Sequence, residues 1–191
     1  MTDTGSDHDE DLASLAKRGD RAAFENLVRR HKDDLYRFVR RYVGQADDAY
    51  DVLQDAMVAA WLGLPRYDPA RPFAPWLRTI ALNKCRDFGR RQTVRRLFHR
   101  ALAQDWTAHQ TPAEAQGVPD DTAMSDDRLD RLDCAIAGLP ALYKEPLLLT
   151  TVSGLSREDA ARCLKTTPKA IEMRLYRARR KLRAALGEPE G

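Results

Sequence analysis

The stretch Arg71 to Arg91, RPFAPWLRTIALNKCRDFGRR, is patterned as a helix behind a proline-bounded start. Phe73, Trp76, Leu77, Ile80, Ala81 and Phe88 recur at helical spacing and form one apolar stripe. Thr79, Asn83, Arg86 and Arg90 fall at i, i+4, i+7 and i+11, on a different face of the same helix. An amide set among guanidiniums suits phosphates and a base edge. The plainer reading of the same face is a solvated basic surface. Trp76 lies on the apolar stripe and is expected in the core.

The rest of the chain is expected to be helical as well. Residues 1–10 are acidic and polar and read as unstructured. A short helix from Leu12 to Lys17, capped by Asp11, stops at Gly19. Asp20 caps a longer helix whose stripe runs Phe24, Leu27, Val28, His31, Leu35, Phe38, Val39 and Tyr42 until Gly44. His31 on that stripe reads as a packed side chain, not a ligand. A third helix is expected from Asp47 to Leu62, with Gly63 as its stop. It carries Asp47, Asp48, Asp51 and Asp55, and no Lys or Arg occurs between Gly44 and Pro65. Asp48, Asp51 and Asp55 share a face, with Gln54 beside them, and clustered like charges favour a basic partner. The helix dipole accounts for Asp47 and Asp48 at the N-terminus but not for Asp55, two turns on.

Charge is sharply segregated although the whole chain is only +3. From Arg71 to Arg100 nine basic residues face one acid, Asp87. From Gln104 to Asp133 eight acids face two arginines. The segment 111–121 lacks periodicity and large apolar residues and reads as a flexible acidic linker. The expected division is a helical domain over 11–100, a linker over 101–125 and a second helical domain over 126–187.

In the second domain, one helix runs from near Ser125 to Gly138 and another from Ala141 to Val152. Pro146 in the latter either sits in the first turn or kinks the helix. Ser156 and Asp159 form a variant capping box, with Ala160, Ala161 and Leu164 facing inward. Lys165-Thr166-Thr167 makes a turn, Thr167 caps, and Pro168 opens a last helix with Ile171, Leu175, Ala178, Leu182 and Leu186 buried. Lys165 to Arg183 carries eight basic residues against Glu172. Two helices, a short turn and a basic second helix make a helix-turn-helix. Thr167, Lys169, Glu172, Met173 and Arg174 would meet base edges and phosphates, while Arg177 and Arg180 would hold the backbone. A membrane-surface helix is the weaker alternative, because the capped helix-turn before it would be superfluous.

Composition excludes other classes. Cys85, Cys134 and Cys163 are far apart and odd in number, which gives no metal spacing and no disulfide framework and suits a reducing cytoplasm. The acidic start is not a signal peptide, and no apolar run nears the ~20 residues of a membrane span. Among the four histidines, 8, 31, 99 and 109, no catalytic spacing appears, and no glycine-rich phosphate loop occurs, so neither an enzyme nor a bound cofactor is expected.

Three blocks resemble the extracytoplasmic-function (ECF) bacterial sigma factors. Asp48-Ala49-Tyr50-Asp51-Val52-Leu53-Gln54-Asp55 is similar to the family's D-A-x-D-x-x-Q-[DE] signature in region 2.2. Phe73 to Asn83 resembles the F-x-x-W-L-x-x-I-A-x-N block of regions 2.3 and 2.4. Leu139-Pro140, Gly154-Leu155-Ser156-x-x-Asp159-Ala160-Ala161 and Arg174-Leu175-Tyr176-Arg177-Ala178-Arg179 resemble the region 4 run. The resemblance spans about residues 12–187 and implies an all-α fold of two small helical domains, region 2 and region 4. It implies a promoter-specific initiation factor with core RNA polymerase (β′ clamp and β flap), promoter DNA and an anti-sigma factor as partners, and no membrane insertion. Asp48, Asp51, Gln54 and Asp55 would then dock on polymerase. Arg78, Asn83, Lys84, Arg86, Arg90 and Arg91 would hold the minus-ten element, Asn83 at the edge of a pocket for an extruded base. Thr167, Lys169, Glu172, Met173, Arg174, Arg177 and Arg180 would read the minus-thirty-five element. Glu172 departs from the family's small or basic residues there, and a carboxylate accepts from cytosine N4 but repels a phosphate. Pro75 and Pro146 also depart and leave helix starts open. The competing reading is a stand-alone helix-turn-helix regulator, which would bind a palindromic site without polymerase.

Overall fold

Eight α-helices form the described part of the computed structural model, residues 4–104 and 124–187. In order they are α1 Thr4–Lys17, α2 Arg21–Val43, α3 Ala46–Gly63, α4 Phe73–Gln104, α5 Met124–Gly138, α6 Ala141–Leu147, α7 Arg157–Leu164 and α8 Pro168–Leu186. The all-α class and the two helical bundles agree with the expectation. The acidic linker expected over 101–125 falls largely on 105–123, outside the described residues.

Cap chemistry sets most helix ends. Asp20 accepts from the Ala23 amide at 3.1 Å, and Gly44 ends α2 with φ 94°, a left-handed turn that suits glycine. Thr167 accepts from Ala170 N at 3.2 Å, with Pro168 next. At Ser156 the box is one-sided: the hydroxyl accepts from Asp159 N at 3.0 Å and donates to Asp159 Oδ2 at 2.7 Å. Lys165 ends α7 at φ 51°, a left-handed turn held without a glycine.

Four expectations need correction. The first helix begins by Thr4, not Leu12, because Asp9 is tied to α2: its carboxylate meets Arg30 at 3.0 Å and His31 Nε2 at 2.8 Å. Gly63 is not a left-handed stop. Its φ is −84°, and a Cβ there would lie 3.3 Å from the Trp76 ring, so the glycine serves close packing. A 3₁₀ turn over Leu64–Arg66 follows it. Pro146 is not in the first turn but near the end of α6. After it the backbone widens into a π-helical turn over Leu148–Val152, and the Thr150 and Thr151 hydroxyls donate to the Pro146 and Leu147 carbonyls. Finally, α4 runs unbroken to Gln104 and buries more than one stripe: Leu82 and Cys85 are fully buried beside Phe73, Leu77 and Ala81.

The centre of the molecule is α2. It packs on α1, α3 and α4 and also on α5 and the π turn of the C-terminal bundle. Leu27, Leu35, Phe38 and Val39 fill its buried side. Tyr67, Phe73 and Trp76 form an aromatic cluster, with Tyr67 and Phe73 nearly perpendicular at 5.7 Å. In the C-terminal bundle Leu148, Leu149, Ile171 and Ala178 have no exposure.

Burial predicts an alkaline limit to stability. Burial pushes the Cys85 thiol far above its ordinary 9.0 and the Tyr67 phenol from 10.0 to about 12. Above pH 9 the unfolded chain releases protons the folded chain keeps, so stability present at neutral pH falls as pH rises. Each such group contributes up to about 1.4 kcal/mol per pH unit in its window. Lys144 acts oppositely, because burial lowers its pKa from 10.5. Thermal melts at pH 8 and pH 10 should show Cys85→Ala losing less between the two than the wild type. An equal loss would mean Cys85 ionises freely in the fold.

Candidate protein and nucleic-acid interfaces

The acidic set stands on the outer side of α3. Val52, Leu53, Ala56 and Ala60 turn inward, so Asp51, Gln54 and Asp55 are exposed, with Asp48 half-buried. They line a groove with Phe88, Arg91, Gln92 and Arg95 of α4. Asp55 lies 3.7 Å from Arg91, both largely exposed. Arg91, expected to track a DNA strand, therefore also borders the acidic face. Exposed pairs of this kind contribute little, and either charge is free to change partner.

The α4 residues divide. Asn83, Arg90 and Arg91 are exposed, and Lys84 is half-buried. Arg90 pairs with Asp87. Arg78 does not join them: it is 8% exposed and turned to Asp34 of α2 at 3.9 Å, and burial lowers its pKa. Arg78, expected with the others at the minus-ten element, is thus set apart from the exposed cations of α4. Arg86 is engaged too. Its Nε donates to Glu145 Oε1 at 2.7 Å and its Nη2 to Oε2 at 2.5 Å, a bidentate pair with a carboxylate of α6. Hydrogen bonding to Glu145 raises the Arg86 pKa. A third nitrogen of Arg86 reaches the Asn83 side-chain oxygen at 3.4 Å. One turn up the same face, the Thr79 hydroxyl donates to Pro75 O at 2.9 Å and lies 3.2 Å from Cys163 Sγ of α7. The polar face read from the sequence is thus partly covered by the C-terminal bundle.

The helix-turn-helix is open to solvent. Ala160 and Ala161 of α7 and Ile171, Leu175 and Ala178 of α8 close its inner side. Thr167, Lys169, Glu172, Met173, Arg177 and Arg180 are exposed, and Arg174 is half-buried. Glu172 is the single acid of α8. Tyr176, 63% exposed, stands between Met173 and Arg180 and was missed as a candidate. The helical spacing of Lys169, Met173, Tyr176 and Arg180 was the available signal. Glu145 was also missed, since its partner lies 59 residues away. Among the described residues no group of side chains fits a metal ion, and no helix is long and apolar enough to cross a membrane.

Comparison with known proteins gives these surfaces a context. Residues 27–96 match Sigma-70 region 2, and residues 129–182 match Sigma-70, region 4. The RNA polymerase sigma factor CnrH of Cupriavidus metallidurans is 37% identical over 94% of this chain and 95% of its own length. NccH of Alcaligenes xylosoxydans xylosoxydans is 36% identical over 97% of both. The ECF RNA polymerase sigma factor SigM of Mycobacterium tuberculosis is 33% identical over 94% of this chain and 85% of its own. The structure of CnrH in complex with the cytosolic domain of CnrY superposes with a TM-score of 0.70 at 34% identity, covering 94% of this chain and 97% of that one. Two region matches in chain order, and full-length relatives at this identity, leave one assignment: the chain belongs to the ECF RNA polymerase sigma factors.

Proposed function

We propose that the three surfaces divide the work of one initiation factor acting in the cytoplasm without catalysis of its own. Asp48, Asp51, Gln54 and Asp55 dock on a basic face of core RNA polymerase. Asn83, Lys84, Arg86, Arg90 and Arg91 hold the minus-ten strand as it separates. Thr167, Lys169, Glu172, Met173, Arg174, Arg177 and Arg180 read the minus-thirty-five element in duplex form. The observation that carries this reading is the separation of charge on neighbouring helices: exposed carboxylates on α3 and exposed cations on α4 and α8. A strand-separating factor needs both, one to hold the enzyme and the other to hold DNA. By its family and its likeness to CnrH, solved with CnrY, the chain is held in reserve by an anti-sigma factor.

Run-off transcription with core polymerase tests the division. The wild type should start transcripts at defined sites. Asn83→Ala should bind core normally yet open promoters about tenfold less well, since one well-placed amide contributes roughly 1–3 kcal/mol at a base edge. Binding of a palindromic duplex by the chain alone, with no initiation, would instead make it a stand-alone regulator.

A further inference from the structure

The face that α8 turns to solvent changes character along its length. Lys169, Glu172, Met173, Tyr176 and Arg180 follow one another at helical spacing, and all are exposed. The cations stand at the two ends. Between them stand an acid and two large side chains with apolar bodies, Met173 at 47% and Tyr176 at 63% exposure. Lys169 and Arg180 are 11 positions apart, about 16 Å along the axis at roughly 1.5 Å per residue. The major groove is about 12 Å wide. A stripe of that reach lets its end cations meet phosphates on both rims while its middle lies over base edges. The middle is where the charge is wrong for a phosphate. Glu172 is the one acid of a helix otherwise rich in cations. It has no hydrogen bond or ion pair with any described residue, although Lys169 precedes it by one turn. The fold makes no use of this carboxylate. A carboxylate only accepts. Guanine shows it acceptors at N7 and O6, and thymine an acceptor at O4. Adenine sets its N6 amino group beside the N7 acceptor. Cytosine offers the N4 amino group with no acceptor of its own in that groove.

We propose that Glu172 selects a cytosine in the minus-thirty-five element by accepting from its N4 amino group, with Met173 and Tyr176 excluding water around that contact. This rests on the reading of α8 as the duplex-reading helix and adds which base the helix demands. As α8 enters the groove the carboxylate loses its water, with Met173 next to it and Tyr176 one turn on. An acceptor stripped of water and given no donor costs more than a met hydrogen bond contributes. A site of this kind therefore rejects the wrong base more strongly than it favours the right one. The same charge stands off phosphates, which weakens binding to DNA of any other sequence. Glu172 thus lowers general affinity and sharpens the choice of promoter, while Lys169 and Arg180 hold the two rims.

The test uses the full chain as holoenzyme with core polymerase. The template is a promoter mapped by run-off, randomised around minus thirty-five, and the transcripts are sequenced against the input library. At one position the wild type should favour cytosine about tenfold over each other base, within the range of one well-placed base contact. Glu172→Ala should flatten the preference at that position and leave the neighbouring positions as they were. Glu172→Gln should move it to adenine, because an amide pairs with N6 and N7 together. That change of base is a readout that loss of fold or of general affinity does not produce. Arg180→Ala is the comparison: loss of a phosphate contact should weaken all sequences alike and leave every preference in place. If Glu172→Ala and Glu172→Gln raise initiation from all sequences alike and move no position, the carboxylate only repels phosphates and the proposal is overturned. In that case the preferred block of the wild type still supports α8 as the reader. A wild type with no preferred base anywhere in the randomised block would overturn the reading of α8 itself, and the proposal with it.

Discussion

Asp51→Arg combined with Asp55→Arg should abolish assembly with core polymerase, weakening it at least a hundredfold while leaving the fold intact. The two halves of that expectation have different sources. Both side chains are exposed on α3, and the one ion pair between them and the described residues is the long Asp55–Arg91 contact at 3.7 Å. Surface substitutions of this kind usually change stability by no more than about 0.5 kcal/mol. The new arginine at 55 would face Arg91 and Arg95 across the groove, adding a repulsion that water screens. At an interface the same change replaces two attractions by two repulsions in a desolvated setting, where loss of one charged partner costs about 2–5 kcal/mol. A hundredfold loss is about 2.7 kcal/mol, near the lower end of that range. The measurements are a competition assay for core, with thermal unfolding as control. Unchanged affinity would return the acidic set to a solvated helix face and remove the reason for Asp55 to stand two turns into α3.

What was legible in the sequence follows the range of the forces involved. Caps act over three or four residues, and Asp20, Gly44, Ser156, Thr167 and Pro168 all stand at the helix ends they were expected to mark. Periodicity is also local, and it marked Leu27, Leu35, Phe38 and Val39 of α2 and Ile171, Leu175 and Ala178 of α8, which are buried, while Val28, His31, Leu182 and Leu186, expected on the same stripes, are only half-buried. Errors came where a distant partner decides. The polar start of α1 is helical because Asp9 reaches Arg30 and His31, 21 and 22 residues on. Gly63 looked like a stop because glycine often is one, whereas its backbone is right-handed and a Cβ there would crowd the Trp76 ring at 3.3 Å. Leu82 and Cys85 lie off the single stripe because α4 is covered by α2, α3 and the C-terminal bundle together, and one period describes one covered side. The candidate surfaces show the same division. Exposed cations on α8 were found by spacing. The burial of Arg78 against Asp34 and the capture of Arg86 by Glu145 are tertiary facts that no local pattern encodes.

Phe38→Ala should cost about 3–5 kcal/mol, the ordinary range for emptying a fully buried phenylalanine site. The ring has 0% exposure and is among the largest side chains so enclosed. For a chain of this size that loss lowers the melting temperature by about 6–20 °C. Phe24 is the control on the same helix. It is half-buried, with its ring centroid 5.0 Å from that of Trp61, and its site opens to water. Phe24→Ala loses mainly the transfer free energy of the part that is covered, about 1–2 kcal/mol, because little empty volume is left behind. The form of the transition carries as much information as its midpoint. Since α2 packs against α5 and the π turn as well as against α1, α3 and α4, a weakened α2 is expected to be felt by both bundles. A single transition that shifts as a whole means that the contacts between the bundles couple them. Two transitions, with only the first displaced, would mean that the bundles melt independently and that the contacts between them are weak. With the bundles coupled, adding Glu145→Ala to Phe38→Ala should split the single transition into two, because it removes the best-connected acid between the bundles while leaving each core untouched.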